Sequence, residues 1–143
     1  MKKFTIFLAI TVIIICGIYG IYINYKAIYN TSKKSNYEYQ KYLNKEVYGS
    51  DLMTVINKAI DNNEFNNVEK NNKGYYNDNN QNSINIEIKM LDNDYTYKME
   101  TIYNGGIQNF LKYYSGIKFK CTNIKYHENT NKVKYMLFEQ ITQ

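Results

Sequence analysis

From Phe4 to Ile23 the chain runs for 20 residues without a charged side chain. At a rise of 1.5 Å per residue, a helix of that length spans about 30 Å, the thickness of the hydrocarbon core of a bilayer. Twelve of the 20 are Ile, Leu, Val or Phe, and on an insertion scale they contribute roughly −4 to −7 kcal/mol before Thr, Gly and Tyr subtract from it. A segment in lipid has to satisfy its own backbone, so this one is expected to be a transmembrane helix over residues 4–23, after a short tail at 1–3. The lipid bilayer is then its first partner. Tyr19 and Tyr22 lie near the C-terminal end of the run, where amphipathic rings favour the headgroup layer.

Lys2 and Lys3 would also suit a cleaved signal peptide, but the apolar stretch exceeds the usual 7–15 residues and no convincing small-x-small pair follows it. Ile13-Ile14-Ile15-Cys16 resembles a lipobox only in its cysteine. An uncleaved anchor is the expectation. Lys2 and Lys3 abut one side of the span, while Lys26, Lys33 and Lys34 lie beyond the other. The charges closest to the span place the N-terminus in the cytoplasm and residues 24–143 outside it.

Beyond the span there is room for one modest domain in a chain of 143 residues. The composition leans toward Asn, Lys, Ile and Tyr, the skew of an AT-rich genome, so the abundance of these residues carries little weight. Arginine is absent, all 18 basic residues are lysine, and the formal charge is only +5. With no guanidinium forks for phosphates or guanine edges and no dense lysine run, no nucleic-acid partner is expected. Cys16 in the apolar run and Cys121 far along the chain imply no disulfide framework. One histidine, His127, and no clustered cysteines leave no zinc site of ordinary spacing.

Residues 24–47 carry Tyr25, Ile28, Tyr29, Tyr39, Tyr42, Leu43 and Val47 among polar neighbours without Gly or Pro. A helical stalk continuing the span is expected, with a break plausible around Asn30–Asn36. A small α+β domain then fills residues 48–143. Gly49-Ser50-Asp51 suits a helix start in which the Ser and Asp side chains accept from the first free amides. Leu52, Val55, Ile56, Ala59 and Ile60 supply one apolar face. Residues 61–82 are asparagine-dominated, either a mobile loop or a stretch that hides a short strand near Tyr75.

Ile84, Ile86, Ile88 and Met90 alternate with Asn85, Glu87 and Lys89, the period of a half-buried strand. A second alternating run sets Tyr97, Met99, Thr101 and Tyr103 against Lys98, Glu100 and Ile102, with Asp92-Asn93-Asp94 as the turn between them. An even-numbered loop would pair Met90 with Tyr97 and Ile88 with Met99, and Glu87 would face Glu100 on a solvated, lysine-lined surface. Asn104 can cap a helix whose face is Ile107, Phe110, Leu111 and Tyr114 and which ends near Gly116. Runs at 117–126 and 132–140 flank the turn-forming 127–131 as a second hairpin, in which Ile124 and Tyr126 can face Tyr135 and Val133. Phe119 and Cys121 fall on the other phase, so this hairpin either buries parts of both faces or carries a bulge. The order is helix, hairpin, helix, hairpin around one antiparallel sheet. Ile86, Ile88, Met99, Phe110 and Leu111 are its expected core.

No catalytic, cofactor-binding or metal-ligating residue stands out. His127 is expected in an exposed turn with no nucleophile to serve. Asp92-Asn93-Asp94 opens like a calcium loop, but position six is Tyr97 where that loop needs glycine, and position twelve is Tyr103 where it needs glutamate. Gly105-Gly106 lacks the lysine pattern of a phosphate loop. An enzyme is not expected, nor a small-molecule substrate.

Lys3-Phe4-Thr5-Ile6, followed by an apolar helix, resembles the start of a type IV pilin, which implies a long N-terminal helix carrying an antiparallel sheet and a place in a filament or secretion apparatus. The glycine that the family carries before the phenylalanine is Lys3 here, and its glutamate is Leu8. Val47-Tyr48-Gly49-Ser50-Asp51-Leu52, the helix to Asp61-Asn62-Asn63-Glu64, and the closing stretch from Tyr126 to Glu139 are similar to small single-span membrane proteins of unknown function from low-GC Gram-positive bacteria. That likeness supplies no activity. From the span and the small domain beyond it, a non-enzymatic anchored envelope protein with an extracytoplasmic interaction domain is expected, binding another envelope protein or the cell surface.

Overall fold

A computed structural model describes residues 2–92 and 95–142. The chain is α+β: a long N-terminal apolar helix leads into a small domain with one five-stranded mixed sheet. Helix α1 covers Lys2–Gln40, 39 residues and about 58 Å. Among the described residues it is the one helix long and apolar enough to cross a membrane, with a mean hydropathy of 2.6 in its most apolar stretch, none of which is buried.

The helix does not break between Asn30 and Asn36 but runs on to Gln40. The patchy apolar stripe seen there in the sequence is a docking face: Ser32, Asn36 and Tyr39, spaced four and three apart, are all buried. Ser32 donates to the carbonyl of Thr130 at 2.5 Å. Asn36 donates to the carbonyl of Asn131 at 2.6 Å and accepts from the N–H of Val133 at 2.8 Å. The helix ends in a turn that puts Asn44 at φ 59. The last residues of the expected stalk form strand β1, Glu46–Tyr48, which no sequence pattern announced.

Helix α2, Gly49–Phe65, buries Leu52, Val55, Ile56, Ala59 and Ile60, the expected face. Its start differs from expectation. Tyr48 is the N-cap and no side chain caps the first turn; Gly49 begins the helix with its backbone close against the carbonyl of Tyr114. The asparagine-rich stretch 61–82, expected either as a mobile loop or as hiding a short strand near Tyr75, gives its first residues to α2 and is then cross-linked by hydrogen bonds. Asn63, fully buried, brackets Ile84: its amide donates to the carbonyl at 2.7 Å and its oxygen accepts from the N–H at 2.8 Å. Lys70 and Tyr76 form an isolated bridge.

Strands β2 (Asn85–Lys89), β3 (Thr96–Lys98), β4 (Lys118–Tyr126) and β5 (Val133–Gln140) complete a sheet of order β1-β4-β5-β2-β3. The sheet is mixed, not antiparallel, because β2 and β5 pair in parallel. The first hairpin is shorter than its alternation suggests. Ile88 pairs with Tyr97 and Glu87 with Lys98, two residues out of the expected register. From Met99 the chain turns into helix α3, Met99–Asn104. The spacing of Met99, Ile102 and Tyr103 is helical, and burying Met99 and Ile102 together outweighs extending the strand. Asn93 and Asp94 of the expected turn lie outside the described residues.

Helix α4, Ile107–Tyr114, is capped by Gly106, not Asn104, which closes α3. The β4–β5 pairing resolves the two phases seen in the sequence. Thr122 is an extra residue between the Cys121–Phe138 and Asn123–Leu137 pairs, so Phe119, Cys121 and Ile124 reach one face. Ile124 faces Met136, not Tyr135, while Tyr126 faces Val133 as expected. Ile86, Ile88, Met99 and Phe110 are buried in one cluster with α2, and Leu111 packs against it partly exposed. Helices α2, α3 and α4 and the Tyr39 end of α1 contribute side chains to that cluster. The other face of the sheet carries Glu87, Lys89, Lys120, Tyr135 and Glu139, each partly exposed.

Candidate functional site

His127 opens the β4–β5 turn, and it is buried, contrary to the exposed turn expected of it. Its N–H donates to the carbonyl of Lys132 at 2.9 Å, and the turn folds the loop at 78–83 over the ring. Nε2 lies 2.7 Å from the carbonyl oxygen of Ser83. A carbonyl only accepts, so Nε2 carries the proton. Nδ1 has no hydrogen-bond partner and lies 3.7 Å from Asp78 Oδ1.

Asp78 gathers the rest of this cluster. It accepts from the N–H of Asn80 at 2.9 Å and from Ser83 Oγ at 3.3 Å, and it pairs with Lys134. Burial works to raise its carboxyl, but the Lys134 hydrogen bond, the Asn80 amide and the charge of Lys134 outweigh it and hold it below the ordinary range. Ser, His and Asp are thus adjacent without forming a catalytic relay. The hydroxyl of Ser83 donates to Asp78 and the ring addresses its carbonyl, so the imidazole does not face the hydroxyl as it does in a Ser-His-Asp relay. The cluster ties the β4–β5 turn to the loop before β2. Burial pushes the Cys121 thiol up to about 11, which disfavours the thiolate.

The two carboxylates expected to face each other are separated. Glu100 has moved onto α3, where it is buried and accepts from the N–H of Tyr76 at 2.8 Å. Glu87 stays on the open face of the sheet and accepts from the Tyr135 hydroxyl at 2.8 Å. Burial and then that carboxylate hold the Tyr135 phenol above its ordinary range. Among the described residues no group of three or more His, Cys, Asp or Glu is placed to hold a metal ion.

A hollow with a largely apolar lining lies elsewhere. Met90, just past the end of β2, and Tyr97 on β3 form one wall of it, and Ile102, Phe110, Tyr113 and Tyr114 form the other. The α3–α4 corner makes room for it. Gly106 sits at φ 94, and a Cβ on Gly105 would come within 3.1 Å of the Thr101 carbonyl. Asn109 locks the corner by donating to the carbonyl of Gly105 at 2.8 Å. Phe110 stacks on Tyr114 at 5.1 Å, which gives the wall a flat aromatic surface. The hollow holds about 260 Å³, below the roughly 300–1,000 Å³ of a small-molecule pocket. Met90 lies at the end of the sheet away from the β4–β5 turn, so the hollow faces away from the entry of α1.

No family model, no curated protein and no solved structure matches the chain. The geometry alone speaks for the site. Sequence reasoning missed the hollow because it is made by a corner between two short helices, one of which was read as strand. The Gly105-Gly106 pair was its one local signal.

Proposed function

We propose that this is a non-enzymatic, membrane-anchored envelope protein. Residues 4–23 of α1 sit in the cell membrane as a single span, the N-terminus is cytoplasmic, and the domain projects outside the cytoplasm. There the hollow between α3 and α4 takes an apolar or aromatic side chain of another envelope protein. The observation that carries this reading is α1 itself. It is bare over the whole apolar run, yet through Ser32, Asn36 and Tyr39 it is built into the domain at the end opposite the hollow. An anchor so placed presents the hollow away from the bilayer. The non-enzymatic part is supported by Ser83, His127 and Asp78, whose hydrogen bonds bind loops together and activate no nucleophile.

Protease added to intact protoplasts should remove the domain and leave the span in the membrane. A protected domain reverses the orientation, and a mature chain that begins after residue 20 replaces the anchor with a signal peptide. A photo-crosslinking residue at Tyr113 should capture a membrane or wall protein in living cells, and Thr101→Trp, which fills the hollow, should abolish that crosslink.

A second reading, a pilin-like or pseudopilin-like subunit, is favoured by the arrangement of one long helix, bare at first and then packed on a sheet. Sheared surface material containing a mature chain that starts at Phe4 would favour it over the first.

A further inference from the structure

A cleft of about 520 Å³ lies between α1 and the β4–β5 turn. Tyr25, Ile28 and Tyr29 form its lower wall, Lys33 its upper wall on the same helix, and Glu128 and Asn129 the opposite lip. Two properties single it out. The first is height. Tyr25 to Tyr29 come two to six residues after Ile23, about 3–9 Å along the helix axis. The headgroup layer on each side of a bilayer is about 5–8 Å thick, so with residues 4–23 in the hydrocarbon core Tyr25 and Ile28 stand within that layer and Tyr29 at its outer edge, while Lys33 starts about 15 Å along the axis and reaches back toward the layer because helical side chains lean toward the N-terminal end.

The second is chemistry. The cleft is lined by one cation, Lys33, and one anion, Glu128, together with two tyrosines, Tyr25 and Tyr29, from the helix that carries the lysine. Tyr25, Ile28 and Tyr29 are all exposed, and at helical spacing they lie in line with Ile18, Ile21 and Tyr22 of the apolar run. A lysine is a point charge suited to a phosphate. An ammonium fits between a carboxylate and aromatic faces.

We infer that this cleft receives the zwitterionic, amine-bearing headgroup of a phospholipid from the leaflet that α1 leaves, with the phosphate on Lys33 and the ammonium between Glu128 and the faces of Tyr25 and Tyr29. The inference rests on the reading of α1 as a membrane anchor. The turn that supplies Glu128 and Asn129 also supplies the carbonyls that hold Ser32 and Asn36. A headgroup in the cleft therefore touches the seam between anchor and domain.

The full chain, purified in detergent, can be presented with equal amounts of phosphatidylethanolamine and phosphatidylglycerol and the retained lipid read by native mass spectrometry. Retention of the ethanolamine lipid by at least about fivefold over the glycerol lipid is expected, a difference of about 1 kcal/mol. Glu128→Gln should abolish that preference while the thermal midpoint stays unchanged, since the residue is exposed. Equal retention of the two lipids, or a preference that survives Glu128→Gln, overturns the inference. Alkaline carbonate extraction of cell membranes separates the two failures. A chain that stays in the membrane but shows no preference keeps its anchor and loses the headgroup site, whereas a chain released by carbonate removes the anchor and the site together.

Discussion

Asn36 on α1 accepts a hydrogen bond from the N–H of Val133 at 2.8 Å, across 97 positions of chain. The same carboxamide donates to Asn131, so it acts as a short piece of backbone at the mouth of β5. Asn63 on α2 does the same at Ile84, immediately before β2. Strands β5 and β2 are the parallel pair. Both therefore start from an asparagine carboxamide offered by a helix, at the end of the sheet where α1 arrives.

Asn36→Ala leaves the Val133 N–H and the Asn131 carbonyl without their partner in a buried seam. The expected cost is about 1–3 kcal/mol. Hydrogen exchange at the Val133 amide should quicken selectively, while the amides of α2 hold their rates. Unchanged exchange at Val133 would mean that the docked end of α1 contributes nothing to the sheet.

A Cβ on Gly49 would stand 1.9 Å from the carbonyl oxygen of Tyr114 and 2.7 Å from its carbon, both backbone atoms. Gly49→Ala must push the start of α2 off the end of α4, at an expected cost of about 2 kcal/mol or more. A Cβ on Gly116 would meet nothing within 4 Å, so Gly116→Ala is the control and should stay within about 0.5 kcal/mol. Thermal melts of the full chain in detergent compare the two. Similar midpoints would show that the α2–α4 approach is loose.

Ile88 and Phe110 are buried in the same cluster. Replacing either with alanine should cost about 2–5 kcal/mol. Glu87→Gln keeps an acceptor for the Tyr135 hydroxyl on a partly exposed face and should cost less than about 1 kcal/mol. Denaturant midpoints that rank Glu87→Gln with Ile88→Ala would reverse the assignment of the two sheet faces.

The Asp78 carboxyl is held below its ordinary value of 3.8. A depressed carboxyl binds fewer protons in the folded state than in the unfolded one. Its stabilisation is thus present above 3.8 and is lost as the pH falls through the lower, folded value. The margin in melting temperature of the native chain over Asp78→Asn should be constant well above 3.8 and shrink as the solution is acidified below it. A margin that persists undiminished in strong acid would remove Asp78 from the ionised cluster with Lys134.

What was legible in the sequence depended on whether a segment's partner was near in the chain. Leu52 to Ile60 spells a helix and Ile84 to Met90 a strand, because each needs only one covered face, and both formed there. Tyr97 to Tyr103 satisfies a strand alternation and a helical spacing at once. Ile102, set on the polar side of the alternation, was the residue that did not fit, and it went into the core. The parallel pairing of β2 with β5, strand β1 and the burial of His127 follow from contacts between distant segments that no local period encodes. The hollow shares that fate, since Met90 and Tyr113 meet only after α3 has turned the chain. Asparagine abundance was rightly discounted as a whole, yet Asn36 and Asn63 are specific.

Helix α1 has no joint between its bare half and its docked half. Gln40 lies 17 residues beyond Ile23, about 25 Å further along the axis. In a bilayer such a helix is a ruler: it sets the altitude at which the domain meets anything else. It is also a lever. The usual tilt of about 20° would carry Gln40 about 9 Å sideways. A thinner membrane, by forcing more tilt, would lower the domain and widen the circle it sweeps, so that bilayer thickness alone changes which neighbours come within reach.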